Sequence, residues 1–317
     1  MKSRGKILGF LYLLLILLLI PVTIYRLSVS QNKEDSKKLV LSAVKVPPKQ
    51  TPTQTPQHQL EQLVKKYLTN QEGKYGVAIK NLKTGESYYY NEDKKFNSAS
   101  LYKLWVMAVA FQKIKDGSLD EDEVLSAPIA KLNDTLSTTT PTPTPEGFSP
   151  PTPSVSEPVR ISMKTSEAIE KMITISDNYA ALLVASRSGS VSVANFLKEY
   201  GLKNSNFKQP PQTTATDIAL FFEKLYKGEI VDQEYSEKMI AILKAQTIND
   251  RIPKYLPNIG VAHKTGELFN SKHDAGIVYA KKGDYIIVVL SETDDYNIAA
   301  EVIAKFSKEI YDYFDNS

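Results

Sequence analysis

Strand-like segments stand in two groups near opposite ends of this sequence, and a long block of helical segments separates the groups. A two-stranded hairpin is marginal as a free unit in water. We therefore expect both groups to pair into one five-stranded antiparallel sheet, with helices packed on both of its faces. The strand-like runs, in chain order, are residues 75–79, 87–90, 260–265, 275–279 and 285–290.

The helical segments divide into a terminal pair, 59–68 and 297–313, and a central block, because apolar residues recur in each at helical spacing. We expect the terminal pair to cover one face of the sheet and the central block to cover the other. The predicted fold class is α/β, a five-stranded antiparallel sheet flanked by helices, plus an all-α subdomain. Central helices are predicted at 101–115, 165–175, 179–186, 191–200, 215–226 and 232–244.

Residues 1–26 predict a membrane anchor. Lys2, Arg4 and Lys6 precede an uncharged apolar run over residues 7–24, which is at the lower limit for crossing a bilayer. A cleaved signal peptide is the alternative, although no clear small-residue cleavage site follows the run. Basic residues before such a run favour a cytoplasmic N-terminus. We therefore expect the rest of the chain to lie outside the membrane.

Two proline-rich segments interrupt the chain. Residues 27–58 are polar and then proline-rich, too poor in apolar side chains to fold alone, and they predict a stalk. Residues 135–158 are rich in threonine and proline, which predicts a low-complexity tract without helix or sheet. The tract is either a linker between two domains or an insertion within one domain, and the motifs below favour an insertion in a single domain over 59–317.

The charge balance argues against nucleic acid as a partner. The chain has 39 Lys and Arg against 36 Asp and Glu, a net charge of +3 without a basic stripe. Cysteine is absent, which excludes disulfides, thiol catalysis and thiolate metal sites. No histidine–carboxylate cluster has metal-ligand spacing, so we expect no metal.

Three short motifs occur in a defined order. Ser100-Leu-Tyr-Lys103 opens a predicted helix, Ser176-Asp-Asn178 lies at a helix junction, and Lys264-Thr-Gly266 ends a predicted strand. Each motif alone is weak, and Lys83-Thr-Gly85 shows that a Lys-Thr-Gly sequence also serves as an ordinary turn. Two specific tripeptides in this order and context occur by chance in well under about one per cent of chains.

The chemistry of these residues predicts a nucleophilic serine. Ser100 at a helix start places its hydroxyl near unpaired N–H groups, and Lys103, three residues later, shares its helical face. A lysine that is partly desolvated near Lys264 has a lowered pKa and is a candidate base toward Ser100. We expect Ser176 to relay a proton to the leaving nitrogen, and Lys264 with Thr265 to hold a substrate carboxylate.

From about residue 59 to its C-terminus, the chain resembles a class A β-lactamase. The resemblance rests on the three motifs, the hairpin before Ser100, and the Thr213-Thr214 pair before a helix. It implies a serine hydrolase that opens a β-lactam amide through an acyl-enzyme on Ser100, as a monomer without a cofactor, on a β-lactam or peptidoglycan-like substrate. It also implies that Asn178 contacts the side-chain amide of the substrate. The oxyanion hole is then made by the N–H groups of Ser100 and Glu267. Independently of the resemblance, a strand that ends in Gly266 lets the backbone approach the substrate closely.

One departure from this family changes the expected kinetics. Class A enzymes carry a glutamate for deacylation on a loop before the Thr-Thr pair, but the corresponding residues 202–212 contain no carboxylate. Glu199, in the preceding predicted helix, is a poor substitute. We expect acylation with slow deacylation. A D,D-peptidase or another penicillin-binding cell-wall enzyme, and a penicillin-binding sensor without turnover, are the alternatives.

A histidine base is a further alternative. His263 and His273 flank the Lys-Thr-Gly strand, and Asp274 follows the second histidine. Neither histidine belongs to a nucleophile-elbow motif, and a Ser–His–Asp triad is recognised only by its geometry.

Overall fold

Five strands from both ends of the chain form one antiparallel sheet, which confirms the predicted fold class. The structure is a computed structural model that describes residues 56–69, 71–137 and 159–316. The strand order is β2-β1-β9-β8-β7, and each neighbouring pair is antiparallel. The strands of this sheet are β1 (Lys74–Asn81), β2 (Ser87–Tyr90), β7 (Val261–Leu268), β8 (Ser271–Val278) and β9 (Tyr285–Glu292).

Helices occur where the sequence predicts them, and one additional helix follows β4 (Val124–Pro128), a short strand outside the main sheet. Each helix in the central block agrees with its predicted range to within two residues at either end. The helices are α1 (Pro56–Val64), α2 (Tyr102–Lys115), α3 (Ile129–Ser137), α4 (Thr165–Thr174), α5 (Asn178–Ser188), α6 (Ser190–Glu199), α7 (Ala215–Tyr226), α8 (Gln233–Lys244) and α9 (Tyr296–Asn316).

Both faces of the sheet are covered. In β9, Ile287 and Val289 belong to the core shared with α1 and α9, whereas Ile286 and Val288 belong to the core shared with the central helices. Successive side chains of a strand point to opposite faces of the sheet. A strand covered on both sides is therefore apolar at successive positions, as β9 is.

Helix α2 lies at the centre of the helical block. All residues from 103 to 111 are buried, as expected for a helix that is apolar on every face. Lys103 is the one charged residue in this stretch and has 0% exposure. Burying a charge costs free energy unless polar partners compensate it. We therefore expect polar groups of neighbouring elements to contact the Lys103 amine.

The sequence analysis did not predict two small two-stranded sheets. β3 (Phe96–Asn97) pairs with β6 (Gln212–Thr213), and β4 (Val124–Pro128) pairs with β5 (Arg160–Lys164) on the other side of the proline-rich tract. Helix α3 continues to Ser137, so the prediction of a non-helical tract is wrong for residues 135–137.

Several predictions lie outside the described residues. They are the anchor over 1–26, the stalk up to residue 55, and residues 138–158 of the tract; the domain boundaries stay predictions. Within the described part of the chain, no single helix has the length and apolarity to cross a bilayer. Helices α5 and α6 meet the criterion only as a pair, with a bend of 81° between them.

Candidate active site

Ser100 lies in the short 3₁₀ turn Ala99–Leu101 that leads into α2. Ala99 has a φ of 44°, a left-handed conformation that costs an L-residue about 1–2 kcal/mol. The Oδ1 of Asn97 accepts a hydrogen bond from the N–H of Ala99 at 3.0 Å. This bond helps to hold the turn in its strained conformation and so fixes the position of Ser100 at the helix start.

The side chain of Ser100 is half-buried and lines a cleft of about 880 Å³. Within the described part of the chain, no hydrogen bond occupies its Oγ. Asn178, Gln209 and Glu267 line the same cleft. The hydroxyl is therefore placed where a ligand in the cleft can meet it.

Lys103 donates three hydrogen bonds from its buried position. Its Nζ lies 2.7 Å from the carbonyl oxygen of Ser176, 3.2 Å from the Oγ of Ser176 and 2.8 Å from the Oδ1 of Asn178. Burial lowers the pKa of Lys103 to about 7, against the charge of Asp177, which raises it. None of these acceptors is the Oγ of Ser100, so among the described residues Lys103 makes no hydrogen bond to Ser100, although the two share a helical face.

Lys264 is the second buried amine of the site. Its Nζ donates to the Oγ of Ser176 at 2.9 Å and to the carbonyl oxygen of Thr265 at 2.9 Å. Burial, followed by the charge of Lys103, holds the pKa of Lys264 well below its ordinary value, and the charge of Asp274 opposes them only in part. The two lysines thus lie close enough for the charge of Lys103 to lower the pKa of Lys264. This arrangement is consistent with the sequence prediction.

Ser176 lies between the two lysines and has a φ of 56°. Its Oγ accepts from Lys103 and from Lys264. A serine hydroxyl has two acceptor lone pairs and one donor proton, so both lone pairs are used and the proton remains available to another acceptor. Strained backbone is found where the surrounding structure enforces it, often at functional sites.

Asn178 begins α5 beside this pair. The Oδ1 of Asn178 faces Lys103 and accepts a hydrogen bond from its Nζ, as it must when the lysine is protonated. This orientation leaves the two N–H groups of the Asn178 amide for other partners. Asp177 caps the helix, its side chain accepting from the N–H of Ala180 at 2.8 Å, which fixes the Ser-Asp-Asn segment to α5.

Gly266 allows the end of β7 to pack against the Ser100 turn. A Cβ at this position would lie 3.3 Å from the Cγ of Leu101 and 3.0 Å from the Cδ2 of His273. Glycine therefore permits a close approach that a larger residue would disturb. Thr265 is 3% exposed, and Glu267 reaches the cleft.

The histidine-base alternative is wrong for this structure. His273 accepts from the N–H of Ser291 at 3.0 Å, and its Nε2 lies 2.8 Å from the carbonyl oxygen of Asn97. Burial lowers the pKa of His273 to about 4. His263 has its two ring nitrogens beside Asp274, at 2.9 Å, and Asn249, at 3.1 Å. Within the described residues neither histidine contacts the Oγ of Ser100.

The loop before β6 closes one side of the cleft without a carboxylate. Its cleft-lining residues are Phe207, Gln209, Pro210 and Pro211. Glu199 is the last residue of α6 and is not among the residues that line the cleft. The neutral amide of Gln209 is thus the polar side chain that this loop presents to the cleft.

Arg251 is a buried cation that the sequence analysis missed. Its side chain is 1% exposed and donates from Nη2 to the Oε2 of Glu267 at 2.6 Å. No motif surrounds it in the sequence, so only its position in the fold reveals it. Over residues 56–69, 71–137 and 159–316, no group of three or more His, Asp or Glu side chains is placed to hold a metal ion.

The fold and the order of the motif residues are those of a domain of the β-lactamase and penicillin-binding type. The model of a family described as "Beta-lactamase enzyme family" matches residues 58–314, and the chain belongs to this family. No curated protein matches the chain.

Solved structures share this fold. PBP-A is 24% identical, with a TM-score of 0.68 over 81% of this chain and 96% of that one. A mutant of PBP-A in an acyl-enzyme complex with penicillin G is 25% identical, with a TM-score of 0.68 over 83% of this chain and 97% of that one. A β-lactamase from Sphaerobacter thermophilus is 20% identical, with a TM-score of 0.68 over 81% and 97%.

Proposed function

We propose that the protein opens the amide bond of a β-lactam through an ester on Ser100 and releases the product slowly. The observation that carries this proposal is the pair of buried amines, Lys103 and Lys264, that share the Oγ of Ser176. Ser100 and Asn178 line one cleft beside this pair. The link between the cleft and this pair is Asn178, which lines the same cleft as Ser100 and accepts a hydrogen bond from Lys103.

In the acylation step, the neutral amine of Lys103 takes the proton of the Ser100 hydroxyl as Oγ attacks the carbonyl carbon. To do so, Lys103 gives up one of its bonds to Ser176 or Asn178. The N–H groups of Ser100 and Glu267 stabilise the oxyanion of the tetrahedral intermediate. Its collapse breaks the carbon–nitrogen bond and leaves an ester on Ser100.

The leaving nitrogen takes the hydroxyl proton of Ser176. This proton is free because the lone pairs of the hydroxyl accept from Lys103 and Lys264. The Ser176 oxygen then recovers a proton from the amine that was protonated in the first step. Asn178 binds the side-chain amide of the substrate, and Lys264 and Thr265 bind a carboxylate.

Deacylation requires a base that activates water on the ester. The loop before β6 presents Gln209 to the cleft, and an amide cannot take a proton from water in this role. The absence of a carboxylate from residues 202–212 supports a long-lived acyl-enzyme. It also favours the penicillin-binding alternatives, a cell-wall enzyme or a sensor, over rapid β-lactam hydrolysis.

Fluorescent penicillin tests the proposal on the full-length chain. We expect a covalent label on the wild-type protein and none on Ser100→Ala, with label that persists after excess probe is removed. Rapid loss of label with release of hydrolysed penicillin would instead identify an efficient β-lactamase. Equal labelling of both proteins, or no labelling of the wild type, would contradict the acyl-enzyme proposal.

We further propose that residues 1–26 anchor the enzyme with its catalytic domain outside the cytoplasm. The apolar run over 7–24 and the basic residues before it support this topology. Protease added to intact cells should then digest the catalytic domain, and the protein should sediment with membranes. Recovery of the full-length chain in the soluble cytoplasmic fraction would contradict the anchor.

A further inference from the structure

The cleft extends well beyond the residues around Ser100. Its volume of about 880 Å³ lies towards the upper end of the range for small-molecule sites, about 300–1,000 Å³. Its lining includes part of β4, part of α3 and the face of α5 that begins at Asn178, and β4 contacts both helices. We name this part of the cleft the β4 arm. It is lined by Leu125 and Ala127 of β4, Leu132 of α3, and Leu182, Leu183 and Ala185 of α5.

The β4 arm begins at the residue that we expect to bind the side-chain amide of the substrate. Leu182 and Ala185 lie four and seven residues after Asn178 in α5, and this spacing places the three side chains on one face of the helix. At about 1.5 Å per residue, this face extends about 10 Å from Asn178 to Ala185. A carboxylate held by Lys264 and Thr265 would lie on β7, so the α5 face remains for the acyl side chain.

Leu182 is an apolar side chain of the arm that the protein core does not use. It is half-buried, and within the described part of the chain it belongs to neither of the two cores. Leu125, Leu132 and Leu183 are buried beside it in the lining of the arm. Apolar surface that faces a cleft favours an apolar ligand, since each methylene buried there contributes about fourfold in affinity.

The charged residues of this part of the cleft favour an uncharged ligand. Arg187 donates from Nε and Nη2 to the two carboxylate oxygens of Glu123, at 2.7 and 3.0 Å, so these charges compensate each other. Lys131 is exposed. A charged substituent placed on Leu182 and Leu183 would lose its hydration without gaining a partner. An uncharged substituent avoids this cost.

We propose that the β4 arm is a subsite for a long, uncharged, apolar acyl side chain, such as an alkyl or aryl chain joined to the substrate through its side-chain amide. Donors that carry such a chain acylate Ser100 faster than donors with a short chain. This inference rests on the proposed acylation of Ser100 and narrows its substrate class.

Two penicillins that differ only in their side chain, acetyl and octanoyl, test the proposal on the full-length chain. Their acylation rates are measured by competition with fluorescent penicillin, and the ratio of octanoyl to acetyl is compared among variants. Ser186 follows Ala185, lines the same cleft and is exposed. We expect Ser186→Trp to lower this ratio about tenfold or more, because the indole occupies the arm. Partitioning of the octanoyl chain into detergent affects all variants equally and cancels in the comparison.

Ser166→Trp is the control for this substitution. Ser166 is exposed in α4 and is not among the residues that line the cleft, so this variant should keep the wild-type ratio. Melting curves establish that each variant is folded. An unchanged ratio in folded Ser186→Trp, or an equal decrease in Ser166→Trp, overturns the proposal.

A second pair of variants tests the apolar character of the arm without adding bulk. Leu182→Asn replaces an apolar side chain by a polar one of similar size and should lower the ratio about threefold or more. Leu182→Met keeps the side chain apolar and should stay near the wild-type ratio. If Ser186→Trp does not fold, this pair decides, and equal ratios in Leu182→Asn and Leu182→Met overturn the proposal.

Reversible binding separates this inference from the acylation on which it rests. Both penicillins are titrated by calorimetry against Ser100→Ala and against Ser100→Ala combined with Ser186→Trp. If no probe labels Ser100 in the wild-type protein, the proposed function fails. The Kd values still decide the role of the arm. A loss of affinity of about tenfold for the octanoyl relative to the acetyl compound supports the proposal, and equal Kd ratios overturn it.

Discussion

The Nζ of Lys264 lies 2.9 Å from the Oγ of Ser176, although 88 residues separate them in the chain. The contact joins β7 to the segment before α5, and Lys103 of α2 completes it from the other side. Ser176, whose Oγ accepts from both amines, has a backbone φ of 56°. The site thus depends on one residue whose backbone is strained and whose hydroxyl is doubly held.

Ser176 allows its hydroxyl and its backbone conformation to be tested separately. Ser176→Ala and Ser176→Gly both remove the hydroxyl, and both should slow acylation about a hundredfold because the leaving nitrogen loses its proton donor. Glycine, however, tolerates a positive φ. We expect Ser176→Gly to unfold with about 1 kcal/mol more free energy than Ser176→Ala, since relief of strain exceeds the added flexibility of the unfolded chain.

Labelling rates with fluorescent penicillin and urea denaturation measure these two effects. If Ser176→Gly retained the wild-type rate, the hydroxyl would have no part in proton transfer. If the two variants were equally stable, the positive φ would not be a source of strain.

The pH dependence of acylation reports the protonation of Lys103. Burial lowers the pKa of Lys103 to about 7, and only its neutral form can take the proton of Ser100. The neutral fraction rises with pH, so the labelling rate should increase about tenfold per pH unit below pH 7 and level off above it. Labelling rates measured from about pH 5 to pH 9 check this profile.

Lys103→Arg is the control for this profile. A guanidinium stays protonated over the whole range, so this variant should label at least about a hundredfold more slowly at every pH. A wild-type rate that is flat from about pH 5 to pH 9 would rule out Lys103 as the base.

The five-stranded sheet could be predicted from the sequence because its signals are local. Runs such as residues 285–290 are continuously apolar, and neither group of strands is sufficient to form a stable sheet alone. The strand pairs β3–β6 and β4–β5 could not be predicted in this way. Asn97 pairs with Gln212 and Val124 with Lys164 across long stretches of chain, and no short-range pattern encodes such contacts.

The same distinction between local and long-range sequence signals applies to the candidate active site. Ser100, Lys103, Ser176 and Lys264 stand in short motifs, and their order along the chain indicated a common site. The partners of Lys103 could not be predicted, because side-chain direction inside a core depends on packing from several elements. Arg251 stands in no motif, and its importance follows only from its burial and its contact with Glu267.

Asp217 holds the loop that carries Gln209. It is 3% exposed, and its Oδ2 accepts from the N–H of Asn204 at 2.8 Å and from the Oγ of Ser205 at 2.7 Å. Asp217→Ala leaves these donors without their acceptor and should cost about 1–3 kcal/mol of unfolding free energy. Urea denaturation measures this cost, and hydrogen exchange of the amides over 203–212 should become faster.

Asp93 provides a matched control, since this exposed carboxylate accepts from the Oγ1 of Thr216 at 3.1 Å in α7, the helix that carries Asp217. Asp93→Ala should change the unfolding free energy by less than about 0.5 kcal/mol. Equal effects of the two substitutions would contradict a special role for Asp217.

Gln209→Glu should convert a persistent acyl-enzyme into one that turns over. Gln209 lines the same cleft as Ser100, and a carboxylate at this position can take a proton from water where an amide cannot. General-base assistance is worth about 10²–10⁴-fold, so we expect the label on Ser100 to decay about a hundredfold faster. The decay of bound fluorescence after removal of excess penicillin measures this rate directly.

Lys208→Glu is the control for this substitution. Lys208 is the adjacent residue, it is exposed, and it is not among the residues that line the cleft. A carboxylate at position 208 also makes the loop more negative, but it has no access to the ester on Ser100. Its label should therefore decay at the wild-type rate. If Gln209→Glu acquires label at the normal rate but loses it no faster than Lys208→Glu, the lack of a loop carboxylate does not limit deacylation.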